Sequence, residues 1–241
     1  MSPVSMRSVA RRMSARTRTF TDRYPWLGPT VFMLSALYFV AQIAVGWVWN
    51  PPYSLIRNTI SDLGNTACGR YGGSYVCSPR HALMNAAFIF LGLVMAVGSL
   101  LIYQEFTEGK RLQRLAALVG FVGLTLGGIG AIIVGLFPEN TISVMHILGA
   151  ALAIGVGNIG VLILGLGLSL PEGLRNFMFF IGIVSTTALI LFACHRDFGI
   201  GAGGMERVAA YPQTFWLIRF GFYMSSNHPA KSHPLGTVDS S

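Results

Sequence analysis

The sequence predicts an all-α membrane protein, a polytopic bundle of about six transmembrane helices. Three observations carry that reading. Only 11% of the 241 residues are charged while 53% are hydrophobic, against roughly 25% charged in soluble domains; so little charge could not cover a soluble surface. Several apolar runs reach the ~20 residues needed to cross hydrocarbon. Gly is abundant, at 29 residues, as it is where membrane helices pack closely.

Residues 1–25 form a basic tail with Arg7, Arg11, Arg12, Arg16, Arg18 and Arg23 against the single acid Asp22. A signal peptide is excluded because the following apolar run, 26–48, is longer than the ~7–15 residues of such leaders. A mitochondrial transit peptide shares the composition, and Met6 or Met13 could serve as alternative starts. Further spans are expected at about 82–103, 115–137, 146–169 and 176–194. A weaker sixth, 208–224, contains Pro212, Gln213 and Arg219 among Phe215, Trp216, Leu217, Phe220 and Phe222. Residues 26–224 thus make up the membrane domain, and 225–241 form a polar tail containing His228 and His233.

Lys and Arg place the termini. Eleven fall on the side of the N-terminal tail and five on the other, so both termini are expected to be cytoplasmic. The +8 charge sits at segment ends and in the tail, not on one polar face, which argues against a nucleic-acid partner. The expected setting is a bacterial plasma membrane, with membrane lipids as partners.

This topology sorts the polar residues. Cys68 and Cys77 fall in the longest outer loop, about 50–80, where a disulfide can form; Cys194 reads as a small packing residue. Ser54–Gly64 reads as a short helix, with Ser54 accepting a bond at its start, Gly64 ending it in a left-handed conformation, and Ile56, Ile60 and Leu63 on one face. Asp62, His81, Glu139, His146, His195, Asp197 and Glu206 are all expected at the outer interface. Carboxylates and imidazoles on separate helices can form an acid/base pair or hold a metal. The weak metal candidates are His81, His146 and His195, with zinc as the ion, but no His pair shows ligand spacing within one helix. His146, with Asp62 and Glu206 as partners, is the catalytic candidate. Within the spans, Gly123 and Gly127 and the glycines of 146–169 predict close packing of spans three and four. Asn158 is expected to hydrogen-bond between helices, and no carboxylate lies mid-span.

The series Asn58-Thr-Ile-Ser-Asp-Leu-Gly64, Asn85, Gly135-Leu-Phe-Pro138 with His146 eight residues on, and Glu206-Arg207 before Trp216 resembles the bacterial family called domain of unknown function 998. The resemblance covers about residues 26–224. It implies six spans and supports counting the last one, but it implies no activity. The topology makes Asn58, Ser61, Asp62, Glu139, His146, Glu206 and Arg207 a polar outer-side cluster; His81 and His195 are not part of the family pattern, and the Cys68/Cys77 pair looks particular to this chain. More distantly, the layout is similar to Frag1/DRAM-type membrane proteins, linked to lipid handling. Three functions are therefore expected, in descending order: a lipid-binding or envelope-associated protein without catalysis; an outer-leaflet lipid-modifying hydrolase, with or without a metal, using His146 with Asp62 and Glu206; and a small-molecule transporter. The sequence leaves open whether the protein is catalytic.

Overall fold

The structure is a computed structural model and describes residues 21–71 and 74–227. Most of the basic tail, Gly72, Gly73, Lys231, His228 and His233 lie outside the described residues. The first apolar run forms two pieces, α1 (Leu27–Met33) and α2 (Ala36–Gly46), where one helix over 26–48 was expected. At the break, the Ser35 hydroxyl donates to the Phe32 carbonyl at 2.7 Å, a local bond that competes with the helical ladder. A long loop carries the short hairpin β1 (Gly69–Tyr71) and β2 (Ser74–Val76). Then follow α3 (His81–Tyr103), α4 (Arg111–Leu136), α5 (Ser143–Ala150), a π-helical turn (Ala151–Val156), α6 (Gly157–Gly167), α7 (Glu172–Ala193) and α8 (Gly201–Asn227).

Among the described residues, five segments are long and apolar enough to cross a membrane: Leu27–Gly46, His81–Phe106, Arg111–Leu136, Ser143–Gly167 and Glu172–Ala193. α8 is not among them, because Glu206, Arg207, Gln213 and Arg219 dilute it. One apolar face turns inward: Trp216, Leu217 and Phe220 are fully buried, while Phe215 and Phe222 are exposed, and Phe32 of α1 packs on the Trp216 and Phe220 rings. α8 runs the full height of the bundle. Gly203 lies against Asn58 at one end, and Phe220 stacks on Phe106 at the other. Both ends of the helical bundle, α1 and the C-terminal turns of α8, meet at that second end, where Gly221 touches Pro29.

The surface is inverted relative to a soluble bundle. Leu93, Val97 and Leu100 of α3, Val119, Val122 and Ile129 of α4, and Phe180, Ile183 and Ile190 of α7 are all exposed. A contiguous apolar exterior of this extent is costly against water and suits hydrocarbon. The interior is held by shape. Gly120, Gly123, Gly127 and Gly130 of α4 face Leu164, Gly160, Gly157 and Gly149 in turn, and a Cβ on Gly130 would meet the Ala153 nitrogen and the Gly149 carbonyl at 2.5 Å each. The expected close packing of spans three and four is therefore seen, residue by residue. Asn158, fully buried, donates to the Ala209 carbonyl of α8 at 3.0 Å, three residues before Pro212, whose missing N–H weakens the ladder there.

Three local expectations are corrected. Ser54–Gly64 is not one helix: only Ser61–Gly64 forms a 3-10 turn, the preceding residues are turns, and Ile56 is exposed while Ile60 and Leu63 are buried. Ser54 still caps its turn, accepting from the Arg57 N–H at 3.3 Å. Gly64 is not left-handed; it is needed because any Cβ would lie 2.4 Å from the Asn85 amide oxygen. Cys194 is exposed rather than packed, since the chain leaves α7 there through a left-handed His195. Cys68 and Cys77 are disulfide-bonded across the hairpin.

Packing of α4 against α5 and the π-helical turn yields a direct test. Gly130→Val should destabilise the protein by about 1–3 kcal/mol, the usual cost of overpacking, whereas Gly173→Ala, with nothing within 4 Å of its added Cβ, should be near neutral. Unfolding in mixed micelles under increasing SDS measures both.

Candidate functional site at the loop end of the bundle

The residues Asn58–Asp62 form a turn that closes on itself. Asp62 Oδ2 accepts from the Thr59 N–H at 3.0 Å and from Asn58 Nδ2 at 3.2 Å, and the Asp62 N–H returns a bond to Thr59 Oγ1 at 3.0 Å. This is the reciprocal logic of a capping box. It uses one Asp62 oxygen to shape the turn, and no bond joins that residue to His146. Ser61 takes the position expected for Asp62.

The Ser61 hydroxyl lies 2.9 Å from His146 Nε2 and 3.0 Å from Glu206 Oε1. The other Glu206 oxygen accepts from the Ile60 N–H. His146 Nδ1 lies 2.9 Å from the Phe137 carbonyl. A carbonyl only accepts, so Nδ1 carries a hydrogen, and the rest of the chain follows from counting. With a neutral ring, Nε2 is an acceptor and Ser61 donates to it; Ser61 has no second hydrogen, so Glu206 must be the donor to Ser61. With an imidazolium, Nε2 donates to Ser61 and Ser61 donates to a Glu206 carboxylate. The two arrangements contain the same number of protons and differ only in where one of them sits.

Glu206 and His146 reach the turn from α8 and α5, and Arg207 ties it from the other side. Its Nη1 donates to the carbonyls of Leu55 and Asn58, each at 2.9 Å, and of Gly203 at 2.7 Å. Its Nη2 donates to the Tyr53 hydroxyl, and its Nε donates to the Tyr211 hydroxyl at 3.2 Å. Tyr211 passes its hydrogen to Gln42 Oε1 at 2.7 Å. Burial holds the Tyr53 phenol above its ordinary range, which keeps it neutral. All of Arg207's hydrogen-bond acceptors are carbonyls or phenols, and no carboxylate is among them. The loop lies on α8 closely enough that Gly203 N–H donates to the Ile56 carbonyl at 2.9 Å, and a Cβ at Gly203 would sit 2.1 Å from the Asn58 carbonyl oxygen.

Glu139 lies in the turn between α4 and α5. One of its oxygens is buried without a hydrogen-bond partner among the described residues. Burial, and secondarily the neighbouring Asp62 charge, push its carboxyl up to about 9. The turn itself is bound to the long loop: Thr66 N–H donates to Asn140 Oδ1 and Asn140 Nδ2 donates to Thr66 Oγ1, each at 3.1 Å, and Tyr71 donates to the Glu139 carbonyl at 2.9 Å.

The structure thus brings Asn58, Ser61, Asp62, Glu139, His146, Glu206 and Arg207 into one cluster. It leaves out three residues expected at the same interface. His81 Nδ1 bonds the Ser78 carbonyl at 3.0 Å, His195 is exposed, and Asp197 accepts from the Gly199 N–H at 3.0 Å in its own turn. Among the described residues, no group of three or more His, Cys, Asp and Glu side chains could hold a metal ion, so the fit to zinc fails. Sequence reasoning missed Tyr38, Gln42, Tyr211 and Gln213, because a Tyr or Gln inside an apolar run carries no signal of which way it faces, and Tyr53, a loop residue outside any motif.

Two hollows adjoin the cluster. A cavity of about 50 Å³ lies inside the bundle, with Ser61 and Glu206 at its polar end, well above the ~10–15 Å³ that admits a water. Its walls include Phe88, Leu91, Val134 and Ile154, and the π-helical turn contributes one side through Ala153 and Ile154. A groove of about 380 Å³ runs over the outside between α2 and α8, with Ile43, Trp47 and Leu55 on its rim and Gln42, Tyr53, Tyr211 and Arg207 in its floor.

Long apolar helices, an apolar exterior and a closely packed interior define a multi-pass helical membrane protein. The chain belongs to the family described as "Protein of unknown function (DUF998)", whose model matches residues 33–223. No curated protein and no solved structure matched the chain.

The Glu139 shift sets a pH dependence. The carboxyl titrates at 4.5 when unperturbed and near 9 in the fold, so between those values the folded state binds the extra proton and stability falls as pH rises. Melting temperature should decline from pH 5 to pH 9, and Glu139→Gln should flatten that decline; an unchanged slope in the variant would remove Glu139 as its source.

Proposed function

We propose that this protein binds an anionic lipid of the outer leaflet of a bacterial plasma membrane, in the groove between α2 and α8. The carrying observation is the groove floor. Arg207 is only 8% exposed; among the described residues its acceptors are all uncharged, and its Nη2 has two hydrogens but one acceptor, Tyr53. Gln42 Nε2 is also buried there without a partner among the described residues. A buried cation with donor capacity to spare attracts an anion, and the apolar rim of Ile43, Trp47 and Leu55 suits the acyl chain beside it. The occupant that matches both is a lipid with a phosphate-bearing, net-negative headgroup.

This reading places the loop end outside, with six crossings and both termini cytoplasmic. The Lys and Arg distribution supports it, and so does α8, which extends between the same two ends of the bundle as the five apolar segments. The Cys68–Cys77 disulfide fits an oxidising side. In a Cys194→Ser background, Thr141→Cys should react with a membrane-impermeant maleimide on intact cells, and Glu172→Cys only after permeabilisation. The reverse pattern would invert the topology and defeat the outer-leaflet assignment.

For the lipid itself, detergent-purified protein is melted with added phosphatidylglycerol or phosphatidylcholine. Phosphatidylglycerol should raise the melting temperature, by an amount corresponding to about 2.7 kcal/mol at a hundredfold excess over Kd, and phosphatidylcholine should not. Trp47→Glu, which sets a negative charge on the groove rim at an exposed position, should abolish the difference. Equal effects of the two lipids on the wild-type protein would overturn the proposal.

A further inference from the structure

We propose a second function, separate from the groove: Ser61 is the nucleophile of a Ser–His site that cleaves short-chain acyl esters, with the cavity beneath it as the acyl pocket. The geometry has the parts such a site needs. The Ser61 hydroxyl is within hydrogen-bond reach of His146 Nε2, at 2.9 Å. The Phe137 carbonyl, at 2.9 Å from Nδ1, fixes the tautomer that leaves a lone pair on Nε2 when the ring is neutral. This is the orienting role that a carboxylate plays in a Ser-His-Asp triad, performed here by a backbone oxygen. Ser61 is half-buried and lines the cavity, so its oxygen faces open space on that side.

The acid of this site sits elsewhere than in a triad. Glu206 bonds the serine, not the histidine, and its second oxygen holds the Ile60 N–H. It is a positioning residue: it fixes the turn and the direction of the Ser61 side chain. In the arrangement with a neutral ring, Glu206 carries the proton and His146 is free to act as base. Tyr38 supplies a further donor. It lines the same cavity, and its hydroxyl bonds no acceptor among the described residues, so it can donate to an oxygen that becomes negative during reaction.

The chemistry balances with water as the only co-reactant. Ser61 Oγ bonds to the ester carbonyl carbon as its proton passes to His146 Nε2. The bond from that carbon to the alcohol oxygen then breaks, and the departing alcohol takes the proton from Nε2. Water repeats the sequence on the acyl-serine: its proton goes to His146, its oxygen bonds to the carbonyl carbon, and the Ser61 oxygen leaves, reclaiming the proton. A carboxylic acid is released. A cavity of about 50 Å³ with Phe88, Leu91 and Val134 in its walls has room for an acetyl-sized group, not a full lipid chain, so the substrate class is a short acyl ester presented at the membrane surface.

The test uses full-length detergent-purified protein, a fluorophosphonate probe and p-nitrophenyl acetate. The probe should add its mass to the peptide that contains Ser61, and the ester should be hydrolysed. Ser61→Ala should lose both. His146→Gln should slow both by roughly 10²-fold or more, the usual share of a general base. Tyr38→Phe should lower ester turnover. Melting curves establish that each variant is folded. Should Ser61→Ala melt early, Ser61→Cys replaces it: with His146 as base, the introduced thiol should react with iodoacetamide at least tenfold faster than the exposed Cys194, and His146→Gln should erase that advantage. Folded wild-type protein that neither takes the probe nor hydrolyses the ester would overturn the proposal. So would probe mass on another residue, or a Ser61→Cys thiol no more reactive than Cys194.

Discussion

The rim of this protein depends on the docking of one loop, Tyr53–Gly64, onto the first two turns of α8. Two adjacent residues of α8 do it through different backbone groups of the loop. Arg207 gathers the carbonyls of Leu55 and Asn58, while Glu206 takes the Ile60 N–H and the Ser61 hydroxyl. Backbone groups of an irregular loop need partners when buried, and here two side chains from one helix provide them. Gly201 and Gly203 are the steric half of the same interaction. Gly201 adopts φ 73°, and Gly203 sits where any side chain would strike the Asn58 carbonyl.

That docking also explains why α8 is the least apolar of the long helices yet packs as tightly as any. Glu206, Arg207, Gln213 and Thr214 are buried against protein rather than turned to lipid. Gln213 donates to the Ala153 carbonyl at 3.3 Å and to Met95 Sδ at 3.6 Å, and Asn158 meets α8 near Pro212. Polar groups inside a membrane protein are tolerated where other protein groups satisfy them. α8 carries its polar surface into the bundle and its Trp216–Phe220 stack against α1, so a scale that counts only hydropathy undervalues it.

The helical framework was legible from composition because a long apolar run has few alternatives in a low-dielectric environment. The four segments from 82 to 194 appear with ends shifted by only a few residues, and the small-residue seam of α4 with α6 follows from the glycine spacing. Less legible were features set by a single contact. The Ser35 bond splits the first apolar run, and Gly64 owes its place to Asn85 rather than to a left-handed turn. The loop reads as an amphipathic helix because Ile56, Ile60 and Leu63 fall at helical spacing, but backbone bonds to α8 hold it as turns, leaving Ile56 in the open.

By itself the sequence determined the class of protein, the four long helical segments from 82 to 194 and a short list of polar residues at one end of the bundle. Those follow from chain-local quantities: length of apolar runs, charge at their ends, and residue type. Only the tertiary structure decided how the list is wired. It assigned Asp62 to its own turn, put Ser61 between His146 and Glu206, set Arg207 in the floor of a groove, and left His81 and His195 apart. The physical reason is that hydrogen bonds depend on approach to about 3 Å and on direction. Residues 61, 146 and 206 meet only because three separate helical segments end at the same height, and no pattern along the chain encodes that angle.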